Sequence, residues 1–202
     1  MTVTVDFIFD FGSPNGYLAH KALAGVLERT GAELNIIPSL LGGIFKATNN
    51  QPPMMAHGNV KGKLDYERLE IVRFIKKHKI DKFKFNPHFP VNTLLLVRGA
   101  IAAKDAGELD AYVAAGWKAM WEDGQKMDDP DVYVKALTEA GLDGAAYLER
   151  TQDPAVKAKL IENTNAAVER GAFGIPTFYV GDEMFFGKDR LAQVEDEIIA
   201  QS

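Results

Sequence analysis

The chain has 202 residues, 47% of them hydrophobic, enough apolar material for one well-cored domain with a sizeable insertion and too much for a disordered protein. A formal net charge of −5 with no Lys/Arg cluster argues against nucleic-acid binding. Cysteine is absent, which removes disulfides, thiolate metal ligands and any mechanism in which the protein supplies its own sulfur nucleophile, so thiol chemistry must come from a ligand.

The run from Val5 to Phe11 is aromatic and β-branched. Phe7, Phe9 and Phe11 share one face and Ile8 lies on the other, as expected of a largely buried strand. Gly12 frees the backbone to turn, and Ser13 before Pro14 is the order of a helix N-cap and first helical residue. Leu18, Ala22, Val26 and Thr30, flanked by Leu23 and Leu27, make one helical stripe that Gly31 ends. Ser13 is therefore expected at a helix N-terminus, where free N–H groups and the helix dipole stabilise a thiolate, carboxylate or phosphate. By itself, a Ser-Pro pair reads first as a simple cap.

Glu33 to Pro38 reads as a second strand with Leu34 and Ile36 on one side, completing a parallel strand-helix-strand unit. Ser39 to Asn59 then loses periodicity and fills with Gly, Asn and Pro, which predicts a long loop with one helical turn near Leu41 to Lys46. Its Lys46, Asn49, Asn50 and Gln51 are either ligand contacts or solvated side chains.

Helical patterns follow from Leu64, with Ile71, Ile75, Tyr66, Leu69 and Phe74, up to a break between Asp81 and Pro90. Further helices are expected at Leu94–Ala106 and Leu109–Glu122, then after Asp129-Pro130, at Asp143–Arg150, and from Asp153-Pro154 to Gly171. Trp117 and Trp121 read as packing, or as the wall of an apolar pocket. The stretch from about 60 to 170 shows no strand.

Thr177-Phe178-Tyr179-Val180, a turn at Gly181-Asp182 and Met184-Phe185-Phe186 read as a hairpin, and Asp189 to Ala200 as a closing helix. The order β-α-β, helical block, β-β-α is the thioredoxin arrangement: an α/β fold with a large all-helical insertion, discontinuous at 1–45 and 171–202 around an insertion at 46–170. Pro176 opens the third strand, where Pro is tolerated. A cis bond at Ile175-Pro176 is expected, presenting the Ile175 N–H and C=O to a peptide-like ligand.

With both ends in hand, the sequence resembles the 2-hydroxychromene-2-carboxylate isomerases and the similar kappa-class glutathione transferases, in the DsbA-like branch of the thioredoxin superfamily. The resemblance covers nearly the whole chain. It is carried by Phe9-Asp10-Phe11-Gly12-Ser13-Pro14 with Tyr17-Leu18, by Gly42-Gly43-Ile44, Asn50-Gln51-Pro52-Pro53 and Lys63-Leu64-Asp65-Tyr66, and by Gly171-Ala172-Phe173-Gly174-Ile175-Pro176-Thr177 followed by Phe186-Gly187-Lys188-Asp189-Arg190-Leu191. Where thioredoxin-like oxidoreductases carry Cys-Pro-x-Cys, this chain reads Ser13-Pro14-Asn15-Gly16, so a dithiol cycle is chemically impossible.

The resemblance implies a glutathione cofactor whose sulfur is hydrogen-bonded by Ser13, with Ile175 and Pro176 pairing its cysteinyl part. It implies Phe186, Gly187, Lys188 and Asp189 around the γ-glutamyl group, Asn50 as a further contact, and Lys46 and Lys63 toward the carboxylate of an aromatic acid substrate. Asp189 alone reads equally as an N-cap, Asn50 as a turn residue and Lys46 as a surface charge.

The implied activity is glutathione-dependent isomerisation of 2-hydroxychromene-2-carboxylate to trans-o-hydroxybenzylidenepyruvate by a homodimer. The alternatives are a kappa-like transferase or peroxidase and a non-catalytic thioredoxin-like binding module. No metal is expected, since His20, His57, His78 and His88 form no HExxH pair and Asp128, Asp129 and Asp131 lack the rest of a calcium loop. No window approaches the roughly 18 apolar residues of a membrane span. Met1 to Val5 begins no secretory or transit segment, so the expected location is cytoplasmic.

Overall fold

The computed structural model describes residues 2–202; Met1, where the N-terminal expectation begins, lies outside the described residues. Strand β1 (Thr4–Phe9) pairs in parallel with β2 (Glu33–Pro38), Phe7 opposite Ile36, and antiparallel with β3 (Thr177–Val180), Phe7 opposite Phe178. A fourth strand, β4 (Glu183–Phe186), pairs antiparallel with β3, so the sheet order is β2-β1-β3-β4. Val5, Phe7, Ile8 and Phe9 of β1 are all buried, because the central strand is covered on both faces.

Helix α1 (Pro14–Thr30) follows the Gly12 turn and ends at Gly31, whose left-handed φ of 68° lets its N–H close on the Leu27 carbonyl at 2.8 Å. Ten α-helices are described. Between the sheet halves run α2 (Leu41–Thr48), α3 (Pro53–Ala56), α4 (Lys63–His78), α5 (Leu94–Ala106), α6 (Leu109–Trp121), α7 (Pro130–Glu139), α8 (Gly144–Arg150) and α9 (Pro154–Glu169). The chain closes with a 3₁₀ turn, Lys188–Arg190, leading into α10 (Leu191–Ala200). Among the described residues no helix is long and apolar enough to cross a membrane.

The two faces of β1 enter different clusters. Phe7, Phe9 and Phe11 join the large core with Leu18, Trp117 and Trp121, whereas Ile8 packs with Ile44, Ala167, Ile175 and Tyr179 under α2 and α9. Phe9 and Phe11 meet Trp117 edge-on, at centroid separations of 5.3 and 5.0 Å, so α6 and the sheet share one aromatic core. Both tryptophans are fully buried and pack in the core, Trp121 Nε1–H donating to the Phe11 carbonyl at 2.8 Å, while Trp117 also borders a cavity of about 240 Å³ with His20, Ala24 and Val113.

Three local features depart from the sequence pattern. The expected loop after β2 holds a full helix, α2, running to Thr48 and capped by Asn49 at φ 54°, and then the short α3. Ile44, fully buried, pins α2, and Gly43 is required because a Cβ there would stand 2.9 Å from Thr164 Cγ2 of α9, whereas Gly42 faces open space. Among the buried residues α4 contributes only Phe74, leaving Tyr66, Leu69 and Val72 exposed. Phe89-Pro90 is a second cis peptide besides the expected Ile175-Pro176.

Candidate active site

Ser13 caps α1 from an extended backbone (φ −95°, ψ 112°), and its Oγ accepts from the Gly16 N–H at 3.0 Å. The hydroxyl also donates to the Ile175 carbonyl at 3.0 Å, across 162 residues of sequence. Only 4% of Ser13 is exposed, so its hydrogen must find a protein acceptor when no ligand is near. One oxygen thus joins the α1 N-terminus to the cis-proline segment.

Sequence reasoning offered both polar backbone groups of Ile175 to a ligand. The structure commits its carbonyl to Ser13, while its N–H makes no hydrogen bond among the described residues. That unpaired donor beside the Ser13 hydroxyl is what a peptide-like ligand would satisfy in strand fashion. Behind it the Pro176 carbonyl accepts from the Gly187 N–H at 2.9 Å, with Gly187 at φ 100°, a conformation glycine adopts without strain. Phe186 lies against Gly174, where any Cβ would be 2.9 Å from its ring, and meets Phe173 at a tilt with ring centroids 4.5 Å apart. Ser13, Ile175, Pro176, Phe186 and Gly187 are therefore brought together.

Asn50 reaches the same segment indirectly. Its Nδ2 donates to the Phe173 carbonyl at 2.8 Å and its Oδ1 accepts from the Gln51 N–H at 2.8 Å. Both ends of its amide are occupied in tying the α2–α3 connection to the cis-proline segment.

Lys188 and Asp189 pair with each other, Nζ lying 2.8 and 2.9 Å from the two carboxylate oxygens. The ammonium is buried, 5% exposed, with Nζ 5.0 Å from the Phe74 ring centre, while Asp189 faces solvent. Asp189 is no N-cap, since α10 starts after Arg190 without a side-chain cap. The two line a cavity of about 540 Å³ between α1, α4 and the start of α10, with Lys21, Arg73, Phe74 and Lys77. Ser13 does not line that cavity. Lys46 is exposed on α2, and Lys63 is exposed and 3.8 Å from Glu67 on its own helix, so neither lysine is gathered at the hydroxyl.

Two polar groups beneath the site take no role from the sequence pattern. Asp10, 1% exposed, accepts from Gly12 N–H (2.8 Å), Thr93 Oγ–H (2.6 Å) and Leu41 N–H (2.7 Å). Burial pushes its carboxyl up from the ordinary value, against the lowering effect of those hydrogen bonds. Glu122 accepts from Tyr17 Oη at 3.0 Å and meets Lys21 at 3.3 Å, and burial, with Glu122 adding to it, pushes the Tyr17 hydroxyl well up. An acid set between Phe9 and Phe11 was the available signal for Asp10; nothing local marks Glu122.

A Ser-capped helix facing a cis-proline strand on a four-stranded mixed sheet defines a class, and the chain belongs to the DSBA-like thioredoxin domain family, matched over residues 4–199. Within that family it stands with the 2-hydroxychromene-2-carboxylate isomerases: it is 32% identical to the 2-hydroxychromene-2-carboxylate isomerase of Pseudomonas sp. (strain C18), over 98% of this chain and 91% of that protein. A solved structure of a 2-hydroxychromene-2-carboxylate isomerase superposes with a TM-score of 0.84 at 29% identity, covering 98% of this chain and 95% of the other. The chain is also 27% identical to glutathione S-transferase kappa 1 of Rattus norvegicus, over 93% of this chain and 87% of that one.

Proposed function

We propose that this protein is a glutathione-dependent isomerase that interconverts 2-hydroxychromene-2-carboxylate and trans-o-hydroxybenzylidenepyruvate, working in the cytoplasm as a homodimer. The observation that carries this is the Ser13 hydroxyl, held at the N-terminus of α1 and next to the Ile175 N–H, which has no partner among the described residues, in a chain with no cysteine of its own. Glutathione, when bound, supplies the sulfur that adds reversibly to the conjugated acid and leaves again, freeing rotation about the former double bond.

The residues present fit that ligand. The Ser13 hydrogen turns from the Ile175 carbonyl to the sulfur, and the Gly16 N–H and helix dipole hold the oxygen in place, so the charged form of the thiol is favoured. The Ile175 N–H pairs with the cysteinyl backbone beside Pro176, with Phe186 and Gly187 alongside. Asp189, its carboxylate open to solvent, takes the γ-glutamyl ammonium, and Lys188 balances the charge. Asn50 contributes by positioning the cis-proline segment. Lys46 and Lys63, both exposed, meet the substrate carboxylate when the ligand brings it to the α2–α4 side.

The direct test is the ultraviolet assay of 2-hydroxychromene-2-carboxylate isomerisation with and without glutathione, wild type beside Ser13→Ala. Turnover that requires glutathione and falls about 100-fold or more in the variant supports the proposal, that being the range for loss of one preorganised hydrogen-bond donor. The kappa-class relative favours a second reading, conjugation of glutathione to electrophiles. Consumption of glutathione by an aryl halide, without isomerisation, would decide for it; glutathione binding with no turnover of either kind would leave a binding module.

A further inference from the structure

Asp10 is a buried carboxylate with no cation within ion-pair distance among the described residues. Burying such a charge is costly unless something replaces water around it. Its replacement is three donors. Oδ1 accepts from the Gly12 N–H and from Thr93 Oγ–H, and Oδ2 from the Leu41 N–H. Each donor sits where a helix begins: Gly12 in the turn before α1, Leu41 as the first residue of α2, and Thr93 as the N-cap of α5. Three helix N-termini converge on one carboxylate, and their dipoles favour its charge.

The partner list also fixes the chemistry of the residue. Two of the three partners are backbone N–H groups, which only donate, so the position requires acceptors on both oxygens. Asparagine, equal in shape, fails here: its NH₂ must face the Leu41 N–H or the Gly12 N–H, leaving one of them unpaired. The Asp10 carbonyl, moreover, accepts from the Ser13 N–H at 3.2 Å, so the same residue holds the Ser13 backbone directly. Asp10 thereby couples the turn that presents the Ser13 hydroxyl to the start of α2, the helix that leads to Asn50.

We propose that Asp10 is a positioning residue of this site: by accepting from Gly12, Thr93 and Leu41 at once, it locks the Ser13 turn against α2 and α5 and sets where the Ser13 hydroxyl points. The functional readout rests on the glutathione-dependent reaction proposed above. Charge and position predict opposite signs. A negative carboxylate near the α1 N-terminus opposes a thiolate there, so if charge were its main effect, neutral Asp10→Asn would leave turnover unchanged or raise it. If position is what matters, turnover falls.

The experiment compares wild type, Asp10→Asn, Thr93→Val and Thr93→Ser by steady-state isomerisation, thermal unfolding and amide hydrogen exchange of the ligand-free proteins. Expected for Asp10→Asn is a fall in kcat of about tenfold or more with KM for the acid changed by less than about threefold, and faster exchange at Gly12 or Leu41 while Phe7 and Ile8 of β1 stay protected. Thr93→Val, which keeps both backbone hydrogen bonds, should show a smaller fall, and Thr93→Ser should behave as wild type. Folded Asp10→Asn with wild-type turnover, or with Gly12 and Leu41 as protected as before, overturns the proposal. Should Asp10→Asn not fold, wild-type turnover in Thr93→Val overturns it instead. If wild type itself shows no glutathione-dependent turnover, the isomerase proposal falls, and exchange at Gly12 and Leu41 still decides what Asp10 does.

Discussion

At the scale of single residues, polar groups in this protein are held by what surrounds them more than by what they are. His20 on α1 stacks on Phe7 at 5.8 Å and lies 6.3 Å from Trp117, and burial, with Lys21 nearby, lowers its pKa from 6.5 to about 4. It is neutral in the folded protein at pH 5, where the unfolded chain binds the proton. Stability therefore falls as pH drops from 6.5 toward 4, by no more than about 3 kcal/mol from this group. Asp10 works the other way, since an acid with a raised pKa gains stability as pH falls. Urea unfolding at pH 7 and pH 5 should therefore show a smaller pH dependence in His20→Gln than in wild type, and equal slopes would show that His20 titrates normally.

At the scale of elements, glycines in helices mark where two elements touch. Gly116 of α6 is one such case, since a Cβ there would lie 2.4 Å from Phe11 Cε1. Phe11 has little room to yield, being fully buried and edge-on to both Phe9 and Trp117. Gly116→Ala gains helix propensity of roughly 1 kcal/mol but overpacks the core at a cost of about 1–3 kcal/mol, so a net loss is expected in urea unfolding. Adding Phe11→Leu should recover part of that loss, because the two sites couple through one contact. The same reasoning covers α2: Gly43 approaches Thr164 of α9, a contact that leaves no trace in local periodicity, so the sequence shows only one helical turn near Leu41 to Lys46 where the helix runs to Thr48.

At the scale of the whole molecule, six of the twelve large apolar side chains exposed among the described residues lie on one stretch, 54–72, the others being Phe85, Ile161, Phe173, Met184, Phe186 and Ile199. Met54, Met55 and Val60 precede Tyr66, Leu69 and Val72, which leave α4 at three-residue steps toward solvent. A helix that presents apolar groups outward is suited to a partner, and the homodimer proposed above would use it. Light scattering should give about twice the 22.2 kDa chain mass, and Leu69→Glu with Val72→Glu should bring it to the monomer mass while Ser13 keeps its surroundings. A monomeric wild type would remove the dimer from the proposal without touching the site.

The sequence by itself determined the order β-α-β, helical block, β-β-α and the location of Ser13, though not α3. Alternating aromatics in β1, the Ser-Pro cap, Gly31, the Asp-Pro pairs and the Ile175-Pro176 strand entry are local signals, set by backbone geometry within a few residues, and they are legible without tertiary contacts. Only the tertiary structure decided what each polar group does with its hydrogen bonds. It gave the Ile175 carbonyl to Ser13, the Lys188 ammonium to Asp189, the Asn50 amide to Phe173, and three donors to Asp10. It also left Lys46 and Lys63 outside and closed Trp117 and Trp121 inside. The physical reason is range: periodicity and capping are written in neighbouring residues, whereas the partner of a buried donor or acceptor is whatever the fold brings there from elsewhere in the chain.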